Sequence, residues 1–173
     1  MEEVLDDVSS GHNVRATVFM ECRAMYRHGG DPEMAPLGET EFVNGIAAMS
    51  ASGAYGPCRV CEGIVGFANL PLGSRVRRVL EGQMMVGGGR FRGVRFITVH
   101  HPDPTARGAS TNHPPGLLGD SSFRAGFAEL APLGLSFDAW IYHTQLDELV
   151  DLARAFPQTT IVLDHVGGAI GLG

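Results

Sequence analysis

Five short apolar segments alternate with helical patterns along the chain. The strand candidates are rich in Val, Ile, Phe and Leu, and they are Val14–Met20, Gly63–Asn69, Gly93–Thr98, Leu135–Ile141 and Thr160–Asp164. Each is a continuous apolar run, which is typical of a parallel strand covered on both faces. Helical patterns lie between them, near Glu41–Met49, Ser74–Met85, Ser122–Leu130 and Leu146–Phe156. This alternation predicts an α/β fold with a parallel sheet.

The last helix has the clearest pattern. Thr144 is predicted to cap its first turn with Asp147 as the reciprocal partner, and Pro157 ends the helix. One apolar face is expected at 3.6-residue spacing, made by Leu146, Leu149, Val150, Ala153 and Phe156.

Polar residues follow the predicted strands at their carboxyl ends, where parallel α/β folds carry their functional groups. In chain order these residues are Glu21, Asn69, His100, His101, His143 and His165. Histidines in this pattern are typical of a metal site or an acid–base site. The alternative interpretation is that they are surface histidines in ordinary turns.

Three charged residues lie in or beside apolar strands. Arg95 is inside the third strand, Asp138 is inside the fourth, and Asp164 ends the fifth. A buried charge is costly unless it is paired, so each predicts a charged partner. For Arg95 that partner is either a carboxylate in a structural ion pair or an anionic substrate. We expect Asp164 to orient the site, because alternation along a strand directs it away from His165.

Three further motifs have little predictive weight. The Cys58-x-x-Cys61 spacing lacks a second pair and a thioredoxin-like context. The glycine run Gly87–Gly89 follows a helix and precedes a strand, so it predicts a helix end and not a phosphate-binding loop. Cys22 is expected to be a small buried hydrophobic residue.

Composition narrows the class of protein. The chain has 173 residues, a net charge of −6 and 44% hydrophobic residues, which predicts a single folded domain over residues 1–173. Only 13 residues are Lys or Arg, so nucleic-acid binding is not expected. No apolar run approaches the roughly 20 residues that span a bilayer, and no membrane association is expected. Three cysteines are too few for a disulfide framework and favour a cytoplasmic location.

Several of these segments together resemble the amidohydrolase-related family of TIM-barrel hydrolases, many of them metal-dependent, whose relatives include lactonases and decarboxylases. The resemblance extends from about Gly11 to Gly173. The segments that carry it are Val14–Cys22, Gly38–Val43, Gly63–Leu70, Arg90–Arg95, Leu135–His143 and Ile161–Gly168.

The resemblance implies a role for most of the polar residues at the strand ends. His143 and His165 match the histidines that end barrel strands five and six, as catalytic residues or as ligands of Zn or Mn. Arg95 matches a strand-four arginine that faces the substrate, where it would hold a carboxylate in a bidentate contact. Glu21, Asn69 and Tyr142 complete the expected substrate-binding set.

The chain also departs from the family's pattern. The His-x-His that ends strand one and the aspartate that ends strand eight are absent from the sequence. Phe67, Asn69 and Phe96 stand where the family commonly has His, Asp and His. The expected fold is therefore a partial (β/α)8 barrel, comprising strands two to six, because a complete barrel takes about 250 residues.

The function expected from this resemblance is hydrolysis of a lactone or related carboxylic acid derivative, weak or absent in this chain. The attacking water would be activated by a divalent metal or by a His/Asp constellation without one. With an incomplete ligand set, we expect no tight Zn or Mn binding by this chain.

The alternative hypothesis is a non-catalytic α/β module that binds a partner. A nucleotide-binding fold is disfavoured, because no glycine loop joins a strand to the following helix. Two open sheet edges predict partial exposure of Val18, Val65 and Phe96, together with self-association of the chain.

Overall fold

The computed structural model describes residues 1–103, 106 and 112–170. All five predicted strands are present, with bounds that shift by a few residues. They are β1 (Ala16–Met20), β2 (Arg59–Gly66), β3 (Phe91–Ile97), β4 (Ser136–Trp140) and β5 (Ile161–Leu163).

The four predicted helices are also present, and a short amino-terminal helix is added. The helices are α1 (Glu2–Val8), α2 (Leu37–Ala51), α3 (Arg77–Val86), α4 (Ser121–Phe127) and α5 (Leu146–Ala155). The glycines after α3 end it as expected, since Gly88 and Gly89 have φ angles of 56° and 81°. No helix within the described residues is long and apolar enough to cross a membrane.

The strands follow one another in the sheet in the order in which they occur along the chain, β1-β2-β3-β4-β5. The pairs β1–β2, β3–β4 and β4–β5 are parallel. Sequential parallel strands joined by helices are the arrangement of a (β/α)8 barrel. The fold class is therefore α/β, with five strands of a partial TIM barrel.

The chain forms two compact units, and the first contains residues 1–67 and 79–92. Here α2 packs against β2. A register shift between Ala16 and Val18 marks an irregularity in the β1–β2 pairing. Cys61 takes a φ of 55° there, and its amide donates a hydrogen bond to the Thr17 hydroxyl at 2.9 Å.

The second unit contains residues 68–78 and the described residues from 93 onward. Its core is aromatic. Phe123 and Phe127 of α4 pack against Phe137 of β4, with ring centroids 6.1 Å and 5.1 Å away. Gly126 of α4 lets the helix backbone approach Leu70, because a Cβ there would lie 2.1 Å from the Leu70 carbonyl oxygen. Glycine is therefore required at this contact.

The helix α5 begins at Leu146 as predicted, but its predicted cap is wrong. The helix starts after a 3₁₀ turn, His143–Gln145, and Gln145 stands at the cap position without a side-chain capping bond. Thr144 is exposed within that turn. The Gln145 side chain instead accepts a hydrogen bond from the Tyr142 amide and donates one to the Thr98 carbonyl. The bond to Thr98 is a tertiary contact that the local Thr–Asp spacing does not reveal.

The predicted apolar face of α5 is only partly buried. Of the predicted residues Leu149 is buried, whereas Leu146 and Val150 remain 38% and 44% exposed. Leu152, which lies outside the predicted face, is fully buried. Helical periodicity identifies an apolar face, but burial requires a neighbouring element that covers its full width.

Of the three strand residues that were named as partly exposed, only one is exposed in the structure. Val65 and Phe96 are buried, contrary to the prediction, and the Phe96 ring packs against Phe123 of α4. Val18 is 60% exposed as predicted, and Val162 and Leu163 of β5 are 44% and 41% exposed. The expectation that every strand is covered on both faces is therefore wrong for β1 and β5, the two end strands.

Candidate active site

The two faces of β4 have different environments. Phe137 faces the aromatic side chains of α4, so the alternation of a strand directs Ser136, Asp138 and Trp140 to the opposite face. On β3, Phe96 contacts Phe123 of α4 at 5.9 Å between ring centroids. Arg95 therefore faces away from the helix as well. In a (β/α)8 barrel this second face is the interior.

Arg95, Asp138 and Asp164 form a charged cluster on this interior face. Arg95 lies directly opposite Asp138 in the β3–β4 register. An Arg95 guanidinium nitrogen lies 4.0 Å from Oδ2 of Asp164, and both side chains are largely buried. The predicted partner of Arg95 is thus a carboxylate of the protein itself, the structural ion pair that the sequence left open.

Burial, together with the neighbouring Asp164 carboxylate, raises the pKa of Asp138 to about 6. The hydrogen bond donated by the Ser136 hydroxyl and the charge of Arg95 only partly oppose this shift. Burial also raises the pKa of Asp164, while Arg95 and His165 act to lower it. Asp138 can therefore gain or lose a proton near neutral pH, as a general acid or base requires.

His165 follows Asp164 in a turn with an unusual backbone. His165 and Val166 have φ angles of 50° and 53°, and the next two residues, Gly167 and Gly168, are also at positive φ. Positive φ at a β-branched residue is strained, and such strain is concentrated at functional sites. The His165 side chain is exposed, and its ring packs against Trp140 with centroids 5.1 Å apart.

Aromatic rings connect this cluster to the end of β3. Trp140 contacts Tyr142 at 5.6 Å between centroids, and Tyr142 contacts His101 at 6.4 Å. Tyr142 is buried, with 3% exposure. The aromatic row His165–Trp140–Tyr142–His101 therefore lines the carboxyl ends of β3, β4 and β5 within the second unit.

The other predicted residues of the second unit lie at its surface. His143 is exposed, and its Nδ1 accepts a hydrogen bond from the Ile170 amide at 3.4 Å. Asn69 is exposed at the start of a 3₁₀ helix, where its carbonyl accepts a bond from the Leu72 amide. Asp164 thus links Arg95 and His165, whereas the hydrogen bonds described for His143 and Asn69 are made to other residues.

Glu21 lies in the first unit and is buried at the carboxyl end of β1. Nearby, the buried Glu39 accepts hydrogen bonds from the Cys22 and Ala24 amides at 3.1 Å and 2.7 Å. Burial and the carboxylates of Glu39 and Glu21 raise the pKa of Tyr26. Glu39 thereby fixes the loop that follows β1, a structural role that its helical position did not reveal.

The cysteines do not have the environment of nucleophiles. Cys22 is exposed in the loop after β1, contrary to the expected burial. Burial of the sulfur atom and the hydrogen bond to Glu39 raise its thiol pKa. Burial also raises the pKa of Cys61. Since the thiolate is the reactive form, neither thiol is activated.

The donor set for a metal ion is incomplete. In the part of the chain that the structure describes, no group of three or more His, Cys, Asp or Glu residues converges as a metal site would require. A catalytic zinc needs about three protein ligands. The described residues by themselves do not fit a catalytic Zn or Mn site.

Comparison with known proteins places the chain in a family. The family model described as amidohydrolase matches residues 54–171, more than half of the chain. The chain therefore belongs to the amidohydrolase family, and the resemblance predicted from its sequence is confirmed.

Two further proteins are similar to the chain. The uncharacterized protein y4mH of Sinorhizobium fredii is 35% identical over 168 residues, which cover 96% of this chain and 49% of that protein. The crystal structure of an amidohydrolase from Burkholderia multivorans has a TM-score of 0.49 and 19% identity, and the match covers 89% of this chain and 57% of the other. The chain spans about half the length of the curated relative.

The sequence predicted His143 and His165 as catalytic residues, and for Asp138 it predicted only a charged partner. It also missed Trp140. The available signal was the charge of Asp138 within an apolar strand, two residues before Trp140. Strand pairing was needed to show that Asp138 lies opposite Arg95.

Proposed function

We propose that this protein is a hydrolase that acts on a lactone or related carboxylic acid derivative, with Asp138 as its principal proton-transfer group. The observation that carries the proposal is the buried Arg95–Asp138–Asp164 cluster, in which the pKa of Asp138 is raised to about 6. Membership of the amidohydrolase family supports the reaction class. The lactone substrate is a more specific proposal than the reaction class.

The proposed step uses only groups of this chain. Protonated Asp138 gives its proton to the leaving oxygen as the acyl carbon–oxygen bond breaks. His165, exposed beside Trp140, accepts a proton from the attacking water, whose oxygen forms the new bond to the acyl carbon. Proton exchange with solvent restores both groups. Arg95, Glu21, Asn69 and Tyr142 keep their predicted roles in substrate binding as part of the proposal.

The test is hydrolysis by the purified 173-residue protein. A panel of lactones and fluorogenic esters is assayed between pH 5 and 8, with spontaneous hydrolysis subtracted. We expect weak turnover whose kcat/KM falls above about pH 6, as Asp138 loses its proton. Turnover that is absent for every substrate would contradict the proposed function and favour the alternative, a non-catalytic binding module.

We further propose that the chain binds neither Zn²⁺ nor Mn²⁺ tightly, because its described residues offer an incomplete donor set. Isothermal titration of the purified protein is expected to show no stoichiometric binding at micromolar concentrations. Sub-micromolar binding that is abolished by His143→Ala would show that this interpretation is wrong.

The exposed apolar residues of β5 support a proposal of self-association. Val162 and Leu163 lie on a strand at the end of the sheet, and Val166 beyond it is 91% exposed. Unpaired strand edges with apolar side chains favour pairing with another chain. We expect Val162→Lys to shift the protein toward monomer in sedimentation velocity, and Val4→Lys on α1 to leave it unchanged. A monomeric wild-type protein would refute this.

A cytoplasmic location is also proposed. It is supported by the three cysteines, all of which are free thiols. The substrate would then be a small molecule of that compartment.

A further inference from the structure

One buried side-chain amide joins the ends of two strands in the second unit. Gln145 is 3% exposed. Its Oε1 accepts hydrogen bonds from the amides of His100, at 2.9 Å, and Tyr142, at 3.2 Å, while its Nε2 donates to the Thr98 carbonyl at 3.0 Å. Three backbone groups where β3 and β4 leave the sheet are thus satisfied by one residue.

The backbone that Gln145 holds carries two histidines with defined ring nitrogens. Nδ1 of His100 lies 2.7 Å from the His113 carbonyl oxygen. A carbonyl oxygen only accepts, so Nδ1 carries the proton, and Nε2 of the neutral ring has the lone pair. The orientation of this acceptor depends on the His100 backbone, which Gln145 fixes.

His101 has the opposite arrangement. Its Nδ1 accepts a hydrogen bond from the Asp103 amide at 3.2 Å, a shorter contact than the 3.4 Å to the Asp103 carbonyl. Because an amide N–H only donates, the proton of the neutral ring lies on Nε2. The His101 ring also contacts Tyr142, the second residue whose amide Gln145 binds.

We propose that Gln145 is a positioning residue of the active site, which fixes His100 and Tyr142 so that the rings of His100 and His101 offer a ligand one hydrogen-bond acceptor and one donor. Its effect on catalysis rests on the proposed hydrolase function, whereas its effect on the two rings does not. Gln145 acts through these histidines and does not itself contact the reacting atoms.

The first test is NMR of the ¹⁵N-labelled protein at pH 8. Long-range ¹H–¹⁵N spectra are expected to show protonated Nδ1 for His100 and protonated Nε2 for His101. In Gln145→Leu, which removes all three hydrogen bonds at similar size, we expect the His100 signal to become a mixture of tautomers. Exchange of the His100 and Tyr142 amides should also accelerate at least tenfold.

Matched variants separate positioning from stability. Gln145→Glu keeps the acceptor for both amides, so the His100 tautomer is expected to persist, and this variant serves if Gln145→Leu does not fold. Gln158→Leu, at an exposed glutamine after α5, is the control and should change neither ring nor amide.

Kinetic measurements test whether positioning by Gln145 affects the reaction. With an ester hydrolysed by the wild type, we expect Gln145→Leu to lower kcat at least tenfold and to change KM less than threefold. A lowered melting temperature with unchanged His100 tautomer and unchanged kcat would show a purely structural cap and overturn the proposal. If the wild type hydrolyses nothing, the proposed function fails, while the ring spectra still decide the role of Gln145.

Discussion

Replacing Asp138 with asparagine is expected to make the protein more stable and about 100-fold less active as a hydrolase. The loss of activity follows because asparagine cannot donate the proton that the leaving oxygen requires. The gain in stability follows from the raised pKa of Asp138, about 6 against an ordinary value of 3.8. A group whose pKa rises on folding is ionised more readily in the unfolded chain, so its ionisation opposes folding.

The pH dependence gives the sign of this stability effect. Ionisation of Asp138 lowers the free energy of unfolding progressively as pH rises from about 4 to about 6, and the full loss is present above that range. At pH 7, Asp138→Asn is therefore expected to raise the free energy of unfolding by about 1–3 kcal/mol. Near pH 4 the difference should disappear. Urea unfolding at both pH values measures this difference in the free energy of unfolding, with the exposed Asp147→Asn as control. An Asp138→Asn variant less stable than the wild type at pH 7 would contradict the burial argument.

Replacing Arg95 with methionine is expected to destabilise the protein by about 3–5 kcal/mol at pH 7, the cost of breaking a buried ion pair. The methionine fills similar volume, but Asp138 and Asp164 lose the cation that lowers both of their pKa values. Two neighbouring carboxylates would then remain buried without that compensating charge. Because protonation relieves the repulsion, the deficit should be largest above about pH 6 and small near pH 4.

Denaturant titrations at pH 7 and pH 4.5 test this prediction. Arg154→Met, at an exposed arginine in the last turn of α5, is the matched control and should change the free energy of unfolding by less than about 0.5 kcal/mol. An Arg95→Met deficit that is equal at both pH values would mean that Arg95 stabilises the fold through packing and not through the two carboxylates.

The sequence by itself determined the order of strands and helices, the parallel α/β class and the family. Apolar runs such as Gly93–Thr98 are local signals, and their alternation with helical patterns leaves few topologies. The resemblance to the amidohydrolase-related family, carried by segments such as Leu135–His143, predicted the partial barrel. The charge of Arg95 within its strand also marked the site, because a buried charge requires a partner wherever the strand lies.

Only the tertiary structure decided which partner Arg95 has and which residue titrates near neutral pH. Asp138 and Asp164 are 26 positions apart in the numbering, and strand pairing brings both to the face of Arg95. The predicted cap of α5 was wrong for the same reason, since Gln145 bonds to Thr98, the residue directly after β3. Hydrogen bonds, burial and pKa shifts depend on contacts between distant segments, and these contacts leave no periodic signal in the sequence.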